Sequence, residues 1–430
     1  MAELRVLKCE DAVTLMPSQV ETTDILPLRV LVPGGATESL DDFLRTARAL
    51  MEEPFAAERV AFLSAVSQGL LKHPRLRRNP AGAALGFWLR RANLAAFEAD
   101  FRTRIIAGRC VVPAGLVFHV TPANVDTMFA YSWALSFLAG NANVVRLTTR
   151  MSPLVADLLE CLNAVIAAHA ESSRGNWFVT YGHDDAITGR LSAVCDTRIV
   201  WGGDETVRRL RAVPLNPHAA ERSFASKRSL SVISANAFLS AEEAGRRQVA
   251  ERMAVDIAPF GQMGCSSPHL VYWVGTGEDC RRAVQAFGAH LEAAMGAKLG
   301  DADFGWAVRR LNFAFDAVAA GRADELIHQP HTTRVFSPIA SSAELAEPCG
   351  AGLLAHTTVD SVRSVPLLLG RHHQTITYFG LTDAERDDLA QQAGRAGVDR
   401  VVPVGQALDF GPYWDGYDFW GDLTRVVVVQ

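Results

Sequence analysis

Residues 113–150, PAGLVFHVTPANVDTMFAYSWALSFLAGNANVVRLTTR, decide the fold. Leu116–Val120 is a short apolar run, Asp126–Ala139 an apolar run of helix length, and Asn143–Leu147 a second short run rich in valine. A short strand with no polar alternation is buried on both faces, which requires helices on both sides of its sheet. The unit therefore reads as strand, crossover helix, parallel strand. The same alternation continues through a helix over 154–170, a strand at Trp177–Tyr181, a helix over 184–194, a strand at Thr197–Trp201 and a helix from Glu205. It resumes with a strand over 269–274, helices over 279–298 and 302–320, strands near 333–337, 352–356 and 374–379, and a helix over 382–395. The pattern predicts α/β architecture with two parallel-strand domains of Rossmann-like design.

Outward from that core the patterning changes. Before residue 105 the spacing predicts helices, one starting at Ser39-Leu40-Asp41-Asp42 and continuing to Leu71, another from Ala81 to Phe101. Thr424–Gln430 is a β-branched run that is an aggregation hazard unless paired, so it is expected to pair in a sheet, within the chain or across subunits. The expected division is 1–258 for a helical N-terminal region with the cofactor domain, 259–404 for a catalytic domain, and 405–430 for a segment returning to the cofactor region.

With 430 residues, 49% hydrophobic and 21% charged, the chain has the composition of a soluble protein of two or more domains. A net charge of -5 gives no electrostatic case for nucleic acid or an anionic membrane. Polar residues break the one long apolar run, Phe129–Val145, so no membrane span is expected. The early charges of Met1-Ala2-Glu3-Leu4-Arg5-Val6-Leu7-Lys8 do not read as a signal peptide. Seven scattered cysteines, with no C-x-x-C and no zinc-ligand spacing, predict reduced thiols in the cytoplasm and no metal site.

One of those cysteines stands apart. In Phe260-Gly261-Gln262-Met263-Gly264-Cys265-Ser266-Ser267-Pro268 the thiol lies between glycines and small polar residues, just before an apolar strand. Such a turn lets a carbonyl substrate approach the backbone, with N–H groups available to a developing oxyanion.

The order of four segments carries a resemblance. Pro122-Ala123-Asn124 ends the first strand, Gly140-Asn141-Ala142-Asn143-Val144-Val145-Arg146 follows the helix, Trp201-Gly202-Gly203-Asp204-Glu205-Thr206-Val207 opens another helix, and Gly261-Gln262-Met263-Gly264-Cys265 comes last. This layout resembles the aldehyde dehydrogenase superfamily. The Cys265-Ser266-Ser267-Pro268 ending, Ala225-Ser226-Lys227-Arg228-Ser229 and the closing Trp414-Asp415-Gly416 look specifically like the LuxC-like acyl-CoA reductases of bacterial bioluminescence. The resemblance implies that Cys265 attacks an acyl-CoA or acyl-protein thioester, that hydride from a nicotinamide then yields an aldehyde, and that Asn124 donates to the oxyanion. It implies cofactor contacts from Thr121, Pro122, Arg146, Thr148, Thr149, Gly202 and Gly203. It also implies a homodimer or homotetramer, with an acyl-protein synthetase as possible partner.

Arg146-Leu147-Thr148-Thr149-Arg150 lacks the carboxylate that would bind a ribose 2′-hydroxyl and carries two cations, which points to NADPH. The standard G-x-G-x-x-G is absent. Aldehyde-oxidising relatives place a glutamate upstream of the cysteine, whereas Arg222–Lys227 holds no carboxylate and Glu221 falls outside the best match. That absence favours reduction over hydrolysis of the acyl-enzyme. The alternatives weighed are an aldehyde dehydrogenase, a cysteine-dependent acyltransferase or thioesterase, and an inactive scaffold. His119 and His269 are read as structural. His328 and His331 show no carboxylate partner that would make a metal site.

Overall fold

The protein is described by a computed structural model covering residues 28–36, 39–338 and 349–430. The N-terminal eight residues read above lie outside it. The strands of the first half are β1 (Arg29–Val32), β2 (Arg109–Pro113), β3 (Leu116–Val120), β4 (Ala142–Leu147), β5 (Asn176–Thr180), β6 (Thr197–Trp201) and β7 (Ala220–Phe224). All except β2 join one sheet in the order β1-β5-β4-β3-β6-β7, parallel apart from β1. Helices Met128–Leu138 and Pro153–Ala168 pack on one face, and Asp185–Val194 and Asp204–Ala212 on the other. The winding direction therefore reverses between β3 and β6. That switch point leaves a crevice at the carboxyl ends of these strands, where such sheets bind ligands.

The second half contributes β8 (Arg228–Ser234), β9 (Pro268–Val274), β10 (Glu325–His328), β11 (Thr333–Phe336), β12 (Leu353–Val359), β13 (His373–Phe379) and β14 (Arg400–Pro403). They form a second sheet, β10-β11-β12-β9-β8-β13-β14, parallel except for β10. The expected division at 258/259 does not follow the sheets. β8 and helix Glu243–Ile257 already pack within the second one, so the chain crosses over between Phe224 and Arg228. The reason is that β8 is a central strand, buried from Ser229 to Ile233, whose serines interrupt the apolar signal.

The two long N-terminal helices are each broken. Ser39 caps the first, its hydroxyl accepting from Asp42 N at 3.1 Å, but α-helix ends at Thr46 and resumes only over Ala57–Lys72. Between them Phe55 takes a left-handed φ of 59°, and its N–H and that of Glu52 donate to Leu138 and Gly140 carbonyls at 2.7 and 3.1 Å. Gly140 (φ 88°) is required there, because a Cβ would run into the Glu52 carbonyl. The second helix divides into Pro80–Trp88 and Arg91–Arg102. Arg59, only 1% exposed, ties this region to the sheet by donating to the Phe137 and Asn141 carbonyls at 2.9 and 2.8 Å and to Glu52.

After β14 the chain returns to the first sheet. A hairpin of β15 (Tyr413–Trp414) and β16 (Tyr417–Asp418) precedes β17 (Thr424–Val428), which pairs antiparallel with β2 of the same chain. The expected C-terminal strand is thus satisfied internally, although Val426, Val427, Val428 and Val429 remain 45–63% exposed.

Candidate active site

A cavity of about 620 Å³ lies where the carboxyl edge of the first sheet meets the amino edge of the second. From the first sheet it takes Pro122 and Asn124 after β3 and Gly202 and Gly203 after β6; from the second it takes Cys265 and His269 at the start of β9 and Gln374 at the start of β13. A larger space of about 1400 Å³, between helices Ala57–Lys72 and Arg91–Arg102 and β2, contains none of the expected site residues.

Cys265 sits in the cavity because the turn before it is left-handed. Phe260, Gly261 and Gln262 have φ of 54°, 59° and 66° in succession. Non-glycine residues hold that conformation only when their surroundings enforce it. The fully buried Gln262 amide enforces it: Nε2 donates to the Pro268 and Leu353 carbonyls at 2.7 and 3.0 Å, and Oε1 accepts from Gly352 N at 2.9 Å. Ser229 Oγ donates to the Cys265 carbonyl at 2.7 Å. The cysteine is exposed at the cavity surface, yet protein surrounds the sulfur closely. Burial raises its pKa first, the Asp415 carboxylate raises it further, and the N–H groups of Lys227 and Cys265 itself pull it back.

Asn124 is exposed to the cavity, its amide donating to the Met263 carbonyl at 3.0 Å. That bond uses one of the two amide hydrogens. Thr121, Arg146, Thr148 and Thr149 do not line the cavity; they stand at the carboxyl ends of β3 and β4. Thr121 Oγ1 donates to the Arg146 carbonyl at 2.8 Å, Thr148 Oγ1 accepts from Arg150 N at 3.3 Å, and Thr149 faces solvent. Arg146 lies over the Tyr181 ring at 4.7 Å and donates to the Gly182 carbonyl at 3.0 Å, while its Nε is buried without a partner.

The sequence model of the acyl-CoA reductase (LuxC) family matches residues 101–426. The chain belongs to that family. It is 24% identical over 311 residues to the long-chain acyl-protein thioester reductase of Aliivibrio fischeri, covering 69% of this chain and 60% of that protein. It is 27% identical over 180 residues to long-chain acyl-protein thioester reductase 2 of Photobacterium leiognathi, covering 40% of this chain and 35% of that one. The chain thus spans less than two thirds of the length of either relative. Among solved structures, aldehyde dehydrogenase 21 from Physcomitrella patens superposes with a TM-score of 0.65 at 15% identity, covering 90% of this chain and 89% of that one. An NAD-dependent aldehyde dehydrogenase from Sinorhizobium meliloti gives 0.65 at 13%, covering 90% and 86%. At such identities the likeness shows the fold, which is that of the aldehyde dehydrogenases.

Sequence reasoning missed several residues of this LuxC-family cavity. Lys227 and Asp415 both line it; Lys227 pairs with Asp399 and Asp415 accepts from Gln374 Nε2. Glu221 stays outside, held by Arg198 Nε at 2.7 Å and by Arg211 at 3.2 Å. No carboxylate of the Arg222–Lys227 segment enters, as expected, but the Asp415 carboxylate lines the cavity from the C-terminal hairpin. His269 also lines the cavity; burial holds it near pKa 4, and its Nδ1 has no partner. His119 is a core group, bonded to Ser132 and Asn143 at 2.8 and 3.0 Å. His331 Nδ1 is bonded to Glu292 Oε1 at 2.9 Å. No helix among the described residues is long and apolar enough to cross a membrane.

Proposed function

We propose that this protein reduces an acyl thioester, acyl-CoA or acyl-protein, to the aldehyde with NADPH. One observation carries the reading: Cys265 and Asn124 line the same cavity at the switch point of a doubly wound sheet. The relatives named as acyl-protein thioester reductases support it. In this reading the Cys265 thiolate attacks the thioester carbonyl and expels the carrier thiol. The second amide hydrogen of Asn124 and the Cys265 N–H stabilise the oxyanion, each such donor being worth about 3 kcal/mol. Met128, Tyr131, Trp201, Phe224, Phe410 and Trp414 give the cavity apolar walls suited to an acyl chain and to excluding water.

The residues at the carboxyl edge fit a phosphorylated dinucleotide. Arg209 lies close enough for its charge to bear on Arg146, and each has a buried Nε with no partner among the described residues. Two guanidiniums with unmet donors suit a 2′-phosphate. Thr121, Pro122, Thr148, Thr149, Gly202 and Gly203 would form the remainder of the binding surface. When bound, NADPH supplies hydride to the Cys265 thioester. Free thiols at the described cysteines suit a reducing cytoplasm. The hydrolytic alternative is favoured by one feature, the Asp415 carboxylate, and is read by the product.

Incubation with acyl-CoA of several chain lengths and NADPH should release thiol, oxidise NADPH and yield aldehyde, and Cys265→Ala should abolish all three. Free acid as the sole product would establish hydrolysis instead. No thiol release at any length, from acyl-CoA or from a protein acylated as a thioester, removes the reading.

A further inference from the structure

We propose that Asp415 is the proton acceptor for Cys265 during acylation, a role that rests on the thioester reading above. The argument begins in the backbone. Trp414-Asp415-Gly416-Tyr417 is a two-residue hairpin joining β15 to β16, with φ of 51° at Asp415 and 74° at Gly416. Positive φ at both central residues is the mirror-image turn that Asp-Gly favours. The turn buries the Asp415 side chain in the wall of the Cys265 cavity, leaving the residue 9% exposed. Gln374 Nε2 donates to Oδ1, which holds the carboxylate in place. A Cβ at Gly416 would approach Asp399 Oδ1 to 2.7 Å, so the tip is seated closely against the Lys227–Asp399 pair.

The electrostatics agree with this placement. After burial, Asp415 is the largest influence on the Cys265 thiol, and burial lifts its own carboxyl to about 6. Lys227 and Arg400 oppose that rise, and Asp399 adds to it. A thiolate and a carboxylate crowded into one dry pocket do not both ionise readily, so the pair shares one proton. Transfer of the proton from Sγ to Asp415 keeps the charge of the site constant while the nucleophile forms. The sulfur then bonds to the acyl carbon, the carbon–sulfur bond to the carrier breaks, and Asp415 returns the proton to the departing thiolate. Atoms and charge balance without another reactant.

The test is Asp415→Asn, which suits a left-handed turn and preserves shape. Acylation, followed as single-turnover thiol release without NADPH, should slow at least tenfold and lose its acid limb near pH 6. Iodoacetamide alkylation of Cys265 should instead shift to lower pH, because the thiolate no longer forms beside an anion. Unchanged acylation overturns the proposal, as does loss of free-acid formation alone, which would make Asp415 a hydrolytic base. The alkylation profile needs no substrate, so an unmoved midpoint refutes the coupling even if the thioester reading fails. Should D415N not fold, Gln374→Met retains the hairpin and removes the bond to the charged carboxylate. The acid limb should then move to higher pH, and a limb that stays in place counts against Asp415.

Discussion

At the scale of individual side chains, the cavity position of Cys265 was the most legible, since a thiol among glycines and serines has no packing reason to be there. Asn124 was equally legible from its position after a strand. Arg209 was not: it stands in Val207-Arg208-Arg209 on an ordinary amphipathic helix, and only folding shows that Arg209 turns towards Arg146 while Arg208 pairs outward with Glu205. Cofactor choice is therefore predicted to depend on both. Arg146→Ala and Arg209→Ala should each raise KM for NADPH about tenfold or more while leaving KM for NADH nearly unchanged, in keeping with the loss of a charge-assisted hydrogen bond. Equal losses with the two cofactors in steady-state kinetics would remove the 2′-phosphate assignment.

Among the elements, the turn Phe260–Gln262 controls where the sulfur points. Its glutamine pairs with three backbone groups, the Pro268 and Leu353 carbonyls and the Gly352 N–H, in the interior. Gln262→Ala should destabilise the protein by about 3 kcal/mol, as several unmet buried groups cost, read as a lowered denaturant midpoint. It should also depress Cys265 alkylation at fixed pH. A midpoint within error of the parent would show that the turn holds itself. The regular strands and helices from 116 to 212 were readable because each is one unbroken apolar period. The breaks at 51–56 and 89–90 were not, since Phe55 and Gly140 make their turn through a contact distant in sequence. β8 escaped notice for a related reason: Ser229 and Ser231 look like surface residues, yet their hydroxyls serve the Cys265 carbonyl and Thr377 in the interior.

At the level of the whole molecule, parallel alternation announced two sheets, but which strands belonged to which required the long-range pairings. β17 presents exposed valines on a two-stranded ribbon. Replacing Val426 and Val428 with lysine should leave thermal stability within about 0.5 kcal/mol, as for exposed substitutions generally, and should reduce self-association in sedimentation. An unaltered mass distribution would place any subunit contact elsewhere. The return of the chain after β14 also orders events during synthesis. The carboxylate facing the sulfur arrives on β15–β16, and the partner of β2 arrives on β17, after the thiol and the Asn124 turn have been made. A ribosome-bound fragment lacking residues beyond 412 would therefore expose a reactive cysteine without its proton acceptor, so that nascent chains stay catalytically silent until the final hairpin closes over the pocket.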